Sequence, residues 1–275
     1  MDRTSFNGLQ LALGFILALF IALIARRARS LSKSGTLGAV VTGTIIFGVG
    51  GWQWAILLLA FFITSSALSR AFKKRKKGLD EKYSKGHERD AGQVFGNGGI
   101  AAGFALLGGF FPGAHWAWIG FAASLAAVNA DTWATELGVL SPHPPRMIND
   151  LHKVVEMGTS GGISLVGTLA ALAGSALIAS LAVLFPADNL SLNIWHWTLI
   201  TFSGLLGSLF DSLLGATVQA IYYCPADRKE TERHPLHLCG AETVHLRGWK
   251  WLTNDWVNFA CGGMGALLAM IILVL

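Results

Sequence analysis

Charged residues are scarce in this sequence, at 13% of 275 residues, while hydrophobic residues make up 53%. Soluble domains carry about 25% charged residues, so this composition excludes an ordinary soluble protein. Cysteine is also scarce, and three cysteines exclude the disulfide framework of a small secreted domain. The first apolar run shows no cleavage site and leads straight into Arg26, Arg27 and Arg29, which indicates a membrane span and not a secretory signal.

The sequence has a series of long apolar runs instead. They predict an all-α, polytopic membrane helix bundle of about eight segments, in a single integral membrane domain over residues 1–275. The second and fourth segments are short and rich in glycine and alanine, which is typical of tightly packed or broken helices. The expected segments are 8–25, 36–50, 52–69, 97–111, 116–138, 161–185, 194–221 and 255–275.

Lysine and arginine are missing from every second connection. Twenty of the 21 basic residues lie in the loops after the odd-numbered segments, at about residues 26–35, 70–96, 139–160 and 222–254. Cytoplasmic loops carry such an excess of positive charge. We therefore expect these loops in the cytoplasm and both termini on the opposite side of a prokaryotic plasma membrane or internal, thylakoid-type membrane. The basic charge belongs to these loops and does not indicate nucleic-acid binding.

Acidic residues lie where apolar segments approach that same face. A carboxylate inside a membrane helix costs roughly 2.5–3.5 kcal/mol, so it usually faces a cation, a partner charge or a polar cavity. Carboxylates are hard oxygen ligands that suit Mg²⁺. For each acid alone, helix capping or an interhelical hydrogen bond is the alternative. The ligands that we expect in one Mg²⁺ site are Asp131, Glu136, Asp211 and Asp255.

Two glycine-rich stretches, residues 96–99 and 158–162, are predicted to precede helices four and six on this face. Exposed N–H groups at a helix start bind anions, and glycine lets a phosphate approach closely, although ordinary helix entry also uses glycine. The expected catalytic residues are Asp131, Glu136, Asp211 and Arg89. The expected nucleotide or phosphate contacts are Lys85, Gly96, Asn97, Gly98, Gly99, Lys153, Gly158, Thr159, Ser160, Gly161, Asn254 and Asn258.

The last long loop is rich in potential zinc ligands, namely Cys224, His234, His237, Cys239 and His245. The His237-x-Cys239 spacing could bind zinc, but the usual C-x₂₋₄-C pair is missing. Whether these side chains hold a metal is left open.

These stretches also carry a resemblance to a known family. Residues 88–99, 129–136, 158–162, 207–212 and 254–258 resemble the integral membrane family DUF92, which includes animal transmembrane protein 19. The similarity covers nearly the whole chain. The plant member of the family is phytyl-phosphate kinase of tocopherol synthesis, which converts phytyl monophosphate to the diphosphate with a nucleoside triphosphate. The resemblance therefore implies a lipid-monophosphate kinase.

The expected function is thus a membrane-embedded prenyl (phytyl or geranylgeranyl) monophosphate kinase that acts at the cytoplasmic face. Mg²⁺ is the expected cofactor. The expected phosphoryl donor is a nucleoside triphosphate, and CTP is the favoured candidate. The expected partners are a prenyl phosphate lipid and the membrane, and a homodimer is left open. An ion-coupled transporter is one alternative, since broken helices and intramembrane acids also mark carriers. A cytidylyltransferase-like enzyme acting on lipid phosphates is the other.

Overall fold

The computed structural model describes residues 7–72, 88–187 and 190–275, and eight α-helices run through them. Among these helices, α1, α3, α6, α7 and α8 are long and apolar enough to cross a membrane. The predicted membrane helix bundle is confirmed. The helices are α1 Gly8–Arg27, α2 Lys33–Ile45, α3 Trp52–Ala71, α4 Ala91–Phe110, α5 His115–Gly138, α6 Leu165–Leu184, α7 Ile194–Thr217 and α8 Asn254–Val274.

Helix α5 is the centre of the bundle and contacts α3, α4, α6, α7 and α8. Residues 117–130 are buried without interruption, because small and apolar side chains cover every face of this part of the helix. Its neighbours approach closely. A Cβ added to Gly207 of α7 or Gly265 of α8 would lie 2.6 or 2.7 Å from the Cβ of Ala127. Such small-residue contacts bring the polar ends of α5, α7 and α8 together.

The second apolar segment is broken, as predicted. After α2 the chain continues as a π-helical turn, Ile46–Gly50, and α3 begins after Gly51. Gly51 has φ +95°, a conformation that glycine adopts without strain. A Cβ on Gly14 of α1 would lie 2.8 Å from the Cα of Gly48, so helix α1 packs directly on the broken turn. Segments two and three are therefore separate helices.

Two small antiparallel sheets in the loops were not predicted. The loop after α5 contains β1 Arg146–Met147, β2 Asp150–Val154 and β3 Gly162–Ile163, in the order β2-β1-β3. The loop after α7 contains β4 Ile221–Cys224, β5 Lys229–Thr231 and β6 Val244–Arg247, in the order β5-β4-β6. The strands have two to five residues, too few for an alternating pattern to be visible in the sequence.

Three predicted helix ends differ from the structure by four to six residues. Helix α4 begins at Ala91 and not at residue 97, because Asp90 and Gln93 form a capping box with hydrogen bonds of 2.9 and 3.2 Å. Helix α6 begins four residues later than expected, after the N-cap Ser164, whose Oγ accepts a 3.1 Å hydrogen bond from the backbone N–H of Gly167. Helix α7 ends at Thr217.

The loops that follow the odd-numbered helices meet at one end of the bundle. The loops after α1 and α3 are joined at Arg89, whose N–H donates to the carbonyl of Ser30 and whose carbonyl accepts from the N–H of Ser32, both at 3.0 Å. The loops after α5 and α7 are joined by a 2.8 Å hydrogen bond from Ser160 to Glu232. Arg89 in turn interacts electrostatically with Glu136 near the end of α5.

Candidate functional site

A polar cavity of about 320 Å³ lies where these loops meet the helix ends. We call it the acidic cavity, because four carboxylates and one guanidinium form its charged lining. These residues are Arg89, Asp131, Glu136, Asp211 and Glu232. The cavity walls come from α3, α4, α5, α6, α7 and α8 and from the loops after α3, α5 and α7.

Three of the carboxylates act on one another. Asp131 on α5, Asp211 on α7 and Glu232 directly after β5 repel each other electrostatically in every pairing. Oδ2 of Asp211 is buried and has no hydrogen-bond partner among the described residues. Like charges held this close favour a bound cation or a shared proton. Carboxylate oxygens suit a hard divalent cation such as Mg²⁺. All three side chains are partly buried, and within the described part of the chain their ligand atoms do not all lie within 4.8 Å of one another.

Glu232 was not predicted from the sequence. Its Oε1 accepts hydrogen bonds from the side chains of Ser160 (2.8 Å) and the buried Gln219 (2.9 Å). The acids predicted from the sequence lie at the ends of apolar segments, whereas Glu232 lies in a polar loop beside Glu230 and Arg233. Only the fold of that loop shows which of its acids reaches the cavity.

Glu136 belongs to a different part of the cavity. Its Oε1 accepts a 2.6 Å hydrogen bond from Ser69, and its charge acts on Arg89. Among the described residues, the four predicted metal ligands contain no group of three with ligand atoms within 4.8 Å of one another. The structure therefore does not bring Asp131, Glu136, Asp211 and Asp255 together as one ligand set.

Asp255 is absent from the cavity lining. Its backbone carbonyl packs on Gly96 of α4, where a Cβ would lie 2.6 Å from the carbonyl oxygen. The N-cap of α8 is Thr253, and Asn254 and Asn258 do line the cavity. Of the polar residues at the start of α8, the two asparagines therefore line the cavity and Asp255 does not. Nucleotide binding by the asparagines stays a prediction.

Arg89 is the one cation among the described lining residues. Its guanidinium carbon lies 5.5 and 5.7 Å from the ring centroids of Phe61 and Phe62. Burial lowers the pKa of Arg89 to about 10, with the charge of Glu136 acting in the opposite direction. The guanidinium therefore remains charged at neutral pH, in a position where it can meet an anion.

The glycine stretch before α6 lies in the cavity wall. Residues 158–162 line the cavity, and Gly158 and Gly161 have φ values of 78° and 87°. A Cβ on Gly161 would lie 2.5 Å from the backbone of Ala216, so only glycine fits against α7. Thr159 and Ser160 lie between these two glycines. Phosphate binding by this stretch stays a prediction.

The prediction for residues 96–99 was wrong in its geometry. They lie within α4, where the helix itself uses their N–H groups, so they do not form an anion-binding entry loop. The glycines allow close packing: a Cβ on Gly98 or Gly99 would lie 3.1 Å from a side-chain atom of Thr42 or Phe259. Asn97 does line the cavity and donates a 2.7 Å hydrogen bond to the carbonyl of Gln93.

One of the two predicted lysines belongs to the part of the chain that the structure describes. Lys85 lies outside the described residues. Lys153 is exposed on β2 and is absent from the cavity lining. The cationic part of the described site therefore rests on Arg89.

An apolar groove of about 280 Å³ runs between α1, α2, α3 and α4. Its lining includes the small residues Ala18, Ala22 and Ala39. The groove and the acidic cavity share three lining residues, namely Arg89, Gln93 and Asn97. The apolar groove and the acidic cavity thus meet at a position where Arg89 supplies the positive charge.

Fold and site together define an integral membrane protein with an acidic cavity beside an apolar groove. The chain belongs to the family described as Integral membrane protein DUF92, which matches residues 16–266. This confirms the resemblance found in the sequence.

Individual relatives cover most of the chain. An uncharacterized membrane protein of Methanocaldococcus jannaschii is 37% identical over 210 residues, or 76% of this chain and 83% of its own. Protein PGR of Arabidopsis thaliana is 32% identical over 272 residues, or 91% of each chain. Protein VTE6, chloroplastic, of the same plant is 24% identical over 249 residues, or 88% of this chain and 65% of its own. No solved structure matches significantly.

Proposed function

We propose that the protein is a membrane-embedded prenyl-monophosphate kinase, which forms a prenyl diphosphate from the monophosphate and a nucleoside triphosphate. The observation that carries the proposal is the junction of the apolar groove and the acidic cavity at Arg89, Gln93 and Asn97. A prenyl phosphate has an apolar chain and an anionic head, so it needs two such compartments side by side. The family resemblance points to the same substrate class.

The lipid would lie with its prenyl chain in the groove and its phosphate at Arg89. Inside the bilayer the chain exchanges contacts with lipid tails for contacts with the groove, so the groove selects the chain by shape and packing. A guanidinium can pair with two phosphate oxygens at once, and the partial desolvation of Arg89 strengthens that contact. The amide side chains of Gln93 and Asn97 supply further donors at the same point.

The nucleotide would occupy the acidic cavity from the side of the loops. Its phosphates carry the same sign of charge as Asp131, Asp211 and Glu232, so these acids would repel it alone. The three carboxylates would hold Mg²⁺, which when bound neutralises phosphate charge during transfer. The asparagines at the start of α8 and residues 158–161 line the cavity, and they would hydrogen-bond the nucleotide.

The reaction needs positioning more than acid–base chemistry. An oxygen of the lipid phosphate forms a bond to the terminal phosphorus of the nucleotide, while the bond from that phosphorus to its bridging oxygen breaks. The nucleoside diphosphate leaves with the electron pair. Because the attacking phosphate is already ionised at neutral pH, no general base is required. Arg89 holds the attacking group in place and offsets the charge of two anions that approach each other.

Purified protein in detergent, supplied with Mg²⁺, tests the proposal. Geranylgeranyl and phytyl monophosphate are each combined with each nucleoside triphosphate, and the lipid products are identified by mass spectrometry. Prenyl diphosphate is the expected product, with CTP as the expected donor. A lipid–nucleotide product with release of pyrophosphate would replace the kinase by a cytidylyltransferase-like enzyme. Solute uptake into proteoliposomes, with neither product, would replace it by a transporter.

A further inference from the structure

Four potential metal ligands meet in the loop after α7, outside the acidic cavity. Among the described residues, Cys224, Asp227, His237 and Cys239 form a group whose ligand atoms all lie within 4.8 Å of one another. None of the four lines the acidic cavity. We call this group the Cys/His cluster. It is separate from the proposed Mg²⁺ ligands and uses different donor chemistry.

The spacings within the Cys/His cluster approach those of a metal site. The sulfurs of Cys224 and Cys239 are 3.5 Å apart, and Nδ1 of His237 lies 3.4 Å from the sulfur of Cys239. Nδ1 of His237 is also 2.9 Å from Oδ2 of Asp227. Two sulfurs bound to one tetrahedral zinc ion are about 3.8 Å apart. Each of these pairs would have to open by about half an ångström or less to hold the ion.

Two tight turns build the cluster. Cys224 ends β4, and the hairpin to β5 places Asp227 beside it. The backbone nitrogen of Asp227 lies 3.5 Å from the Cys224 sulfur. The N–H of Arg228 donates a 2.8 Å hydrogen bond to the Cys224 carbonyl. In the second turn, His237 N–H donates to the carbonyl of Ala241 at 2.9 Å, and Cys239 lies within that turn. The spacings are thus C-x₂-D and H-x-C. The C-x₂-D spacing equals the common C-x₂-C spacing of zinc sites, with aspartate in place of the second cysteine.

The donor set favours zinc. Two thiolates and an imidazole select a borderline-soft ion such as Zn²⁺ over Mg²⁺, and a carboxylate is a known fourth ligand. Four protein ligands complete a tetrahedral shell, which is typical of structural sites and not of catalytic ones. The imidazole of His237 and Cys224 are buried, while Asp227 and Cys239 are exposed, so an ion can enter from the solvent side.

We propose that Cys224, Asp227, His237 and Cys239 bind one structural zinc ion. On binding, the two thiols release their protons to solvent, which leaves two thiolates, a carboxylate and a neutral imidazole around the ion. The ion cross-links the β4–β5 hairpin to the turn at residues 237–241. Because β5 ends at Thr231, the cross-link also fixes the strand that precedes Glu232. This proposal does not depend on the kinase activity.

A disulfide between Cys224 and Cys239 is the competing use of the same atoms. It would require a two-electron oxidant, and it would leave Asp227 and His237 without a role in the cluster. The loop carries basic residues that predict a cytoplasmic location, where thiols are kept reduced. The chemistry of the cluster therefore favours the metal.

Metal content of the full-length protein is the direct test. The protein is purified in detergent under reducing conditions, without chelator and without a polyhistidine tag, and its metals are measured by inductively coupled plasma mass spectrometry. We expect about one zinc ion per chain. Cys239→Ser and Asp227→Asn should lower this stoichiometry severalfold. Cys261→Ser and His234→Ala are matched controls and should keep the zinc, because Cys261 is buried in α8 and His234 stacks on Tyr222.

Cobalt substitution keeps the test independent of how the variants fold. Wild-type protein, stripped of metal and titrated with Co²⁺, should develop the strong visible bands of a tetrahedral site and thiolate-to-cobalt charge-transfer bands. It should saturate at about one equivalent. Wild-type protein with no zinc, no cobalt bands and freely reactive thiols would overturn the proposal. A Cys224–Cys239 disulfide, seen by non-reducing peptide mapping of protein taken directly from cells, would overturn it as well.

Discussion

Ser160 donates a 2.8 Å hydrogen bond to Glu232, although the two residues are 72 positions apart in the chain. The contact joins the glycine stretch before α6 to the loop after α7. It places a third carboxylate opposite Asp131 and Asp211, which the helices of the bundle bring together. The acidic cavity is therefore completed by loops, and the loop contacts determine which acids take part.

Glu232 should be essential although it lies in no helix. Glu232→Gln keeps the shape of the side chain and removes the charge, so we expect kcat for phosphoryl transfer to fall by about 100-fold or more, the usual effect of losing one strong electrostatic contact. The KM for prenyl phosphate should change little. Glu230→Gln is the matched control, since Glu230 is exposed on β5, the strand that precedes Glu232. Equal activity of the two variants would remove Glu232 from the site.

Asp131 and Asp211 should bind Mg²⁺, and their mutual repulsion should lower the stability of the metal-free protein. Replacing either by asparagine removes one of three repelling charges, so we expect turnover to be lost while the metal-free variant melts no lower than wild type. Mg²⁺ should raise the melting temperature of wild-type protein and should not raise that of Asp211→Asn. Asp150→Asn, at an exposed position on β2, is the control. A normal Mg²⁺ response of Asp211→Asn would show that the ion binds elsewhere.

Arg89 should carry the contact to the lipid phosphate. We expect Arg89→Gln to lower kcat/KM for prenyl phosphate by about 100- to 1000-fold, and Arg89→Lys to restore part of the loss, because lysine keeps the charge without the bidentate fork. Lys153→Gln should behave like wild type, since Lys153 is exposed outside the cavity. Steady-state kinetics with varied lipid decide between these outcomes. If Lys153→Gln lost activity and Arg89→Gln kept it, the contact to the lipid phosphate would belong to Lys153 and not to Arg89.

The apolar groove should set the usable chain length. Ala39 lines the groove, whereas Leu37 on the same helix is 69% exposed. Ala39→Phe fills the groove, so we expect the KM for geranylgeranyl phosphate to rise about tenfold or more, because overfilling a packed site costs about 1–3 kcal/mol. The KM for dimethylallyl phosphate should stay near its wild-type value. Leu37→Phe should change neither. If both lipids respond alike to Ala39→Phe, the groove does not hold the prenyl chain.

The sequence was most informative where residues stand out against their surroundings. Asp131 and Asp211 are carboxylates within apolar helices, and both line the cavity. The fourth helix was placed wrongly because Asp90 and Gln93 already form a capping box six residues before the glycines. Glu232 was missed because its place in the cavity depends on contacts between separate loops, which leave no periodic pattern.

The Cys/His cluster was left open for a similar reason. No two cysteines of the loop have the usual C-x₂₋₄-C spacing, and Asp227 takes the second place after Cys224. The short strands of both loop sheets also have too few residues to show a periodic pattern in the sequence. Membrane helices therefore follow from composition, while loop-built sites follow only from tertiary contacts.

The fate of two labelled phosphates tests the central claim most directly. Purified protein is given geranylgeranyl monophosphate, Mg²⁺ and CTP labelled either at its α- or at its γ-phosphorus, beside Asp211→Asn as the inactive control. Our account predicts that the γ-label enters geranylgeranyl diphosphate, that the α-label stays in CDP, and that the variant transfers neither. Transfer of the α-label to the lipid, or no transfer of either label from CTP, ATP, GTP or UTP, would contradict it.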